Sequence, residues 1–149
     1  MDEWLKRHAR SAHASDSARV FVATVDDRET VVGYYALAAA RVAPDEATAR
    51  QLKGQPRARP LPAILLARLA VDERHQRAGL GRSLLQDVLL RCVEAAEAIG
   101  ARLLLVHAKH EAAKQWYTQF DFEESPTDPL HLLLSMKDVR AFLQPRGLF

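Results

Sequence analysis

The sequence has a single cysteine, Cys92, and nowhere do 18 apolar residues run together. One thiol excludes an internal disulfide framework and suits a reducing compartment. The missing run excludes a helical membrane span, and the opening MDEWLKRHARSAHAS has no continuous apolar core of the kind that directs secretion. A cytoplasmic location without membrane association is therefore expected. Excess charge of one sign is also absent. With 21 basic and 19 acidic side chains the net charge is only +2, which excludes a wholesale nucleic-acid coat and makes any basic patch local. Metal-ligand spacing is lacking as well: His107 and His110 straddle a strand end with no cysteine or convincing third ligand nearby, so no metal site is expected. No internal repeat, low-complexity tract or linker interrupts the chain.

What is present suffices for one ordinary α/β domain: 149 residues, 48% of them hydrophobic. Asp2 to about His13 carries Trp4, Leu5, His8, Ala9 and Ala12 at helical spacing, which predicts an amphipathic helix with His8 and His13 on its wet face. Arg19 to Val25 and Val31 to Ala40 read as a hairpin around Asp26-Asp27-Arg28-Glu29. Pro44 to Pro62 holds four prolines and should be loop, apart from a short helix over Pro44 to Leu52. Ala63 to Val71 is apolar on both alternating faces except at Arg68, as suits a central strand covered on both sides. Ser83 to Ile99 repeats Leu84, Leu85, Val88, Leu89, Cys92, Val93 and Ala96 as a helix that Gly100 closes, so Cys92 reads as core packing rather than a nucleophile. Ala101 to Ala108 reads as a second buried strand, Glu111 to Phe120 as a short helix anchored by Trp116 and Phe120, and Leu130 to Met136 as a last strand. Strand, turn, helix and strand in that order make a βαβ unit.

Between the first of those strands and its helix lies QRAGLGRS, Gln76 to Ser83. Gly79 and Gly81 remove two Cβ atoms just before a helix, so successive backbone N–H groups can converge on an anion at the positive end of the helix dipole. Two common nucleotide motifs do not fit. A dinucleotide fingerprint needs a third glycine where Leu84 stands and an acid where His107 and Lys109 occur. A Walker A loop needs a lysine where Gly81-Arg82-Ser83 has arginine. A tight βα turn with no ligand stays open at this level.

In context, Leu69-Ala70-Val71-Asp72 followed by Gln76-Arg77-Ala78-Gly79-Leu80-Gly81 and a helix beginning Ser83-Leu84-Leu85 resembles the acetyl-CoA signature of the GNAT acetyltransferase superfamily. The resemblance implies a GNAT fold, with a central mixed, mostly antiparallel sheet, flanking helices and a splayed coenzyme A cleft. It implies acetyl-CoA as cosubstrate, its pyrophosphate held by the turn from Gln76, Arg77 and Ala78 through Gly79, Leu80, Gly81 and Arg82 to Ser83. The strand residues Leu69, Ala70 and Val71 would meet the pantetheine arm. A second block, Ala101 to Phe122, places Ala112-Ala113 and Trp116-Tyr117 where the family has its second coenzyme-binding strand and helix, with Ala113 at the coenzyme and Tyr117 as the acid that protonates the departing thiolate. Acetyl transfer from a thioester needs a neutral amine, a donor at the carbonyl and an acid for the sulfur. The Val71 amide can serve the carbonyl, and a tyrosine with a pKa near about 10 stays protonated at neutral pH. Packing alone is the other reading of Tyr117.

The acceptor is approached through another absence. Many protein-lysine acetyltransferases carry a glutamate base on the central strand, whereas Ala63 to Val71 contains no carboxylate. A lysine amine is neutral in roughly one molecule in 2,500 at pH 7, an α-amine in roughly one in six. An α-amine needs little help, although Asp72, Glu73 or a histidine elsewhere remains available as a base.

A closer resemblance agrees. MDEWLKRHA, Val32-Gly33-Tyr34-Tyr35-Ala36-Leu37, PLPAILLARLAVD and LLLVHAKHEAAKQWYTQFDFEESPTDPLHLLL are similar, along nearly the whole chain, to the GNAT toxins of bacterial toxin–antitoxin pairs. That implies acetylation of the α-amine of aminoacyl-tRNA, a block of translation, a ribbon-helix-helix antitoxin as partner and a homodimer. Three positions depart from the pattern. Met1 falls almost at DEWL, where the family has a further strand before the first helix; Ala67 stands where LGRLAVD has glycine; and Asp121 replaces the glycine of FGF. If Asp121 has φ > 0 it costs on the order of 1 kcal/mol. RNA phosphates would meet Arg50, Lys53, Arg57 and Arg59 of the Pro-rich loop, Arg41, and Arg7 and Arg10 of the first helix, or these cations are merely solvated. Arg68 is either a buried ion pair or a cleft residue for the tRNA 3′ end, and Lys114 and Arg82 are further candidates beside the coenzyme. Acetylation of a small amine or a protein N-terminus, and a noncatalytic coenzyme-binding module, are the alternatives.

Overall fold

The structure is a computed structural model that describes residues 13, 17–24, 30–56, 59–76 and 79–144. The predicted first helix lies outside these residues except for His13, which is exposed and accepts at Nδ1 from the Val20 amide at 3.0 Å. The elements are β1 (Arg19–Thr24), β2 (Val31–Val42), a 3-10 turn (Pro44–Glu46), α1 (Ala49–Leu52), β3 (Leu61–Val71), a 3-10 turn (Glu73–His75), α2 (Leu80–Ile99), β4 (Leu103–His107), α3 (Glu111–Thr118), β5 (Glu123–Ser125), β6 (Asp128–Ser135) and α4 (Met136–Leu143). Among the described residues six strands form one sheet in the order β1-β2-β3-β4-β6-β5, with β1/β2, β4/β6 and β5/β6 antiparallel. β3 and β4 are neighbours joined through α2, the strand–helix–strand unit that the periodicity predicts.

Contacts group the chain into two compact units. One joins the described residues up to Ala38 with Leu66–Leu89; the other joins Ala39–Leu65 with the described residues from Leu90 onward.

In the first unit, neighbouring Tyr34 and Tyr35 are both buried, so this stretch of β2 is covered on both of its alternating faces. Phe21 of β1 stacks on Tyr35 at 4.9 Å, and the Tyr35 hydroxyl donates to the Asp87 carboxylate of α2. Gly33 sits in the same strand for a steric reason. A Cβ there would stand 2.9 Å from Leu84 Cδ1 and 3.2 Å from the Ala70 carbonyl oxygen, so only glycine lets the start of α2 and the end of β3 approach β2 this closely.

In the second unit, Val42, Ala47, Leu61, Ala63, Leu103 and Leu133 make a buried cluster. α1 is tied down by its own ends. Thr48 and Gln51 form a capping box, and the buried Gln51 also donates to Glu123 at 3.4 Å. The helices α3 and α4 both pack on β6.

Two expectations are corrected and one element is added. The helix after the glycine turn begins at Leu80, three residues before Ser83, because Gly79 supplies the left-handed residue (φ +83°) and the first i to i−4 bond, Ser83 N to Gly79 O at 3.1 Å, closes behind it. Burial of β3 on both faces holds only in its first half: Ala63, Ile64 and Leu66 are buried, whereas Ala67 is exposed and Arg68 through Val71 are half-buried. Past Met136, to which the pattern assigns nothing, α4 buries Met136, Val139 and Leu143 at i, i+3 and i+7.

Candidate active site

The end of β3 and the turn after it are shaped by short-range bonds within the first unit. Asp72 N donates to Val32 O at 2.8 Å, which carries the pairing with β2 past Val71. The Asp72 carboxylate accepts from Arg74 N at 3.1 Å and starts the 3-10 turn. Gln76, exposed, folds its amide back to donate to Val71 O at 3.1 Å, so that carbonyl is already engaged. The chain then reaches Gly79, where the left-handed backbone is open: nothing lies within 4 Å of where a Cβ would be. A side chain there would be strained by φ, not by crowding. Leu80, Gly81 and Arg82 form the first turn of α2, a 20-residue helix whose leading amides have no carbonyl four residues back to bond. Those amides and the helix dipole are the chemical means of holding a phosphate. Of the two glycines only Gly79 takes the left-handed backbone; Gly81 lies within the helix. Arg77 and Ala78 lie outside the described residues. Leu69, Ala70 and Val71 are half-buried, Ser83 is exposed, and Arg82 is exposed and has an interaction partner, as does the half-buried Arg68.

Tyr117 belongs to the second unit. Its helix, α3, starts at His110, whose Nδ1 accepts from Ala113 N at 3.1 Å. That cap explains His110 without a metal, and it also occupies the Ala113 amide. Among the described residues no group of three or more His, Cys, Asp or Glu converges on a metal position. Tyr117 is buried, 8% exposed, between Trp116 (5.0 Å between ring centroids) and Phe122 (5.5 Å), both edge to face. Burial pushes its phenol up to about 12. It is therefore neutral and proton-bearing at physiological pH, the state an acid needs. Phe120 is buried beside it and Trp116 half-buried, the anchoring that their spacing predicts. α3 ends by unwinding: Asp121 N donates to Thr118 O at 3.2 Å and Asp121 takes φ 70°, the left-handed position where the related pattern has glycine.

The candidate RNA-binding cations separate in the structure. Arg50 is held by Glu123 and Asp138, so its charge is neutralised and its pKa raised, chiefly by the hydrogen bond to Asp138; it fastens α1 to β5 and α4 rather than standing ready for a phosphate. Lys114 pairs with Glu124, which raises its pKa and likewise commits it. Arg41, Lys53 and Arg59 are exposed, and Arg57 lies outside the described residues. Cys92 is fully buried and its thiol is pushed up to about 12 by desolvation, so it is packing and no nucleophile.

Sequence patterning overlooks one group of polar residues. His107 and His131 lie directly opposite one another on β4 and β6, and their rings stack with centroids 4.0 Å apart and planes 13° apart. They line a recess of about 270 Å³ that Arg41 also lines. The signal was present in LLLVH and LHLLL, but only the strand register pairs the two imidazoles.

No helix among the described residues is long and apolar enough to cross a membrane. The family model for the acetyltransferase (GNAT) domain matches residues 16–124. The tRNA-acetylating toxin of Mycobacterium tuberculosis is 50% identical over 143 residues, 96% of this chain and 84% of that protein. Among solved structures, a crystal structure of a tyrosine-to-phenylalanine mutant of KacT matches with a TM-score of 0.86 and 26% identity, over 93% of this chain and 82% of that one. AtaT complexed with acetyl-methionyl-tRNAfMet matches in fold with a TM-score of 0.86 and 21% identity, over 94% and 84%. With the glycine turn leading into α2, the neutral buried tyrosine on α3 and half of its residues shared with a curated relative, this chain belongs to the GNAT acetyltransferase family.

Proposed function

We propose that the chain is an acetyl-CoA-dependent N-acetyltransferase that acetylates the α-amine of aminoacyl-tRNA and so acts as the translation-blocking toxin of a toxin–antitoxin pair. The observation that carries this reading is the 50% identity, across 96% of the chain, to the tRNA-acetylating toxin of Mycobacterium tuberculosis. The same reading includes a cytoplasmic location, where charged tRNA is found, a ribbon-helix-helix antitoxin as partner, and a homodimer.

The residues suit the group they would hold. The first amides of α2 after the left-handed, unobstructed Gly79 would take the coenzyme's pyrophosphate, and the half-buried end of β3, Leu69 to Val71, would lie along its pantetheine arm. When bound, acetyl-CoA supplies an activated thioester. The Val71 amide serves the acetyl carbonyl oxygen as a hydrogen-bond donor. Tyr117 Oη delivers a proton to the sulfur as it leaves, a task for which its raised pKa keeps it loaded. The strand carries no carboxylate from Ala63 to Val71, and the Asp72 carboxylate caps a turn, which fits an amine that needs no strong base.

Incubation with labelled acetyl-CoA and total charged tRNA tests this. Label is expected on the aminoacyl group of one or more tRNA species, and Tyr117→Phe should slow transfer by roughly 10²-fold or more while leaving the fold intact. Label on free small amines with none on charged tRNA overturns the acceptor, and full activity in the phenylalanine variant overturns the acid.

A further inference from the structure

The strand periodicity of the second unit builds a recess that the reading above does not use. Leu103, Leu105 and His107 share one face of β4, and register places Leu105 opposite Leu133 and His107 opposite His131 on β6. Along that face cover is lost step by step: Leu103 is buried under the α1 side of the core, Leu105 is half-buried and His107 is exposed. The recess of about 270 Å³ is lined by Leu65 of β3, Leu105 and Leu133 together with the two stacked imidazoles and the exposed Arg41. Polar groups of the lining other than His107 and Arg41 are engaged within the fold, His131 among them, its Nε2 lying 3.4 Å from the Asp128 carboxylate. The Glu46 carboxylate accepts from Ala43 N at 2.8 Å, and the Ser125 hydroxyl donates to Glu46 O at 2.6 Å.

Size and chemistry then narrow the ligand. The volume falls below the range of about 300 to 1,000 Å³ typical of sites for drug-sized ligands, and so fits one small ring system. Parallel imidazoles present a flat π-face, and a guanidinium in the same lining suits a phosphate. Unpaired RNA bases are recognised by stacking on aromatic rings, histidine among them, with cations on the backbone. Desolvation, and after it the like charge of His131, hold His107 below the usual histidine range, while Asp128 and Glu46 pull the other way. The imidazole is therefore uncharged at neutral pH and can stack without repelling its neighbour.

We propose that this recess binds an unpaired base of the 3′ end of the acceptor RNA, the base stacking on the His107–His131 pair and its phosphate meeting Arg41. The inference rests on the aminoacyl-tRNA reading and names the part of that substrate seated here.

The trinucleotide CCA, unacylated and single-stranded, is the probe. Titration into the full chain should shift the imidazole proton resonances of His107 and His131. His107→Ala should weaken CCA binding and raise the KM for charged tRNA by about 5- to 150-fold, the usual loss of one stacked base. His107→Phe should restore most of it, since a phenyl ring stacks as well. Arg41→Ala should weaken CCA binding but leave that of free adenosine, which lacks a phosphate, unchanged. The proposal is overturned if charged tRNA is acetylated with unchanged KM by His107→Ala, or if the imidazole signals answer to an amino acid methyl ester and not to CCA. Should no charged tRNA accept label at all, it is the functional reading that fails, and CCA binding would still report on the recess.

Discussion

Replacing Gly33 by alanine isolates one steric contact on which the start of α2, the proposed coenzyme end, depends. The added Cβ would meet Leu84 Cδ1 at 2.9 Å, the Ala70 carbonyl oxygen at 3.2 Å and Leu80 Cδ2 at 3.5 Å. The first is closer than real Cβ contacts come, and Leu84 is only 7% exposed, so its side chain has little room to retreat; the second is backbone of β3. Overpacking of this kind costs about 1 to 3 kcal/mol. Alanine recovers roughly 0.5 to 1 kcal/mol through the lower entropy of the unfolded chain. The net loss, up to about 2.5 kcal/mol, corresponds at this chain length to a Tm lower by up to roughly 10 °C. Because the displaced leucines belong to the first turns of α2, KM for acetyl-CoA should rise more than kcat changes. A thermal melt, steady-state kinetics and a double-mutant cycle with Leu84→Ala check the argument. If the clash is the cause, Leu84→Ala makes room and the double variant loses less stability than the two single losses combined. An unchanged Tm with strict additivity would refute the reasoning.

Other positions give equally direct tests. Asp121 holds φ 70° at the end of α3, so Asp121→Gly should raise stability by about 0.5 to 1 kcal/mol in a denaturant titration; a loss would mean that the carboxylate earns its place by a bond. Cys92, buried with its thiol pushed up to about 12, should resist thiol reagents at pH 8 and react only as fast as the chain unfolds. Tyr117 carries a sign that can be checked. Its folded pKa of about 12 lies above the ordinary 10, so the unfolded chain releases the proton first; the stabilisation is complete below pH 10 and is lost as pH rises through 12. Tyr117→Phe should therefore lose less stability than the parent as pH rises from about 10 to 12, by up to about 2 to 3 kcal/mol once the titration is complete, read from urea midpoints.

Much of the fold is legible because it repeats. The alternation in β1 and β2, the apolar β3 and β4 and the heptad-like spacing of α2 lie within a few residues of their observed bounds. β5 escapes because three residues, Glu123–Ser125, are too few to show a period. The candidate site is legible where its chemistry is local. Gly79, the start of α2 and Tyr117 belong to contiguous motifs, and Asp121 announces its strained backbone by standing in for a glycine.

Partners far apart in the chain are another matter. Arg50 looks like a phosphate ligand beside Lys53 and Arg59, yet Glu123 and Asp138, 73 and 88 residues further on, claim its guanidinium. The His107–His131 stack depends on a register between two strands, and a slip of one residue in either strand would send its ring to the opposite face. The sequence by itself determined the periods, the turn and the kinds of chemistry available, because each depends on neighbours along the chain. Which cations are spent and which rings meet was decided only by the tertiary structure, since charge pairing and stacking act over a few ångströms of space whatever the distance in sequence.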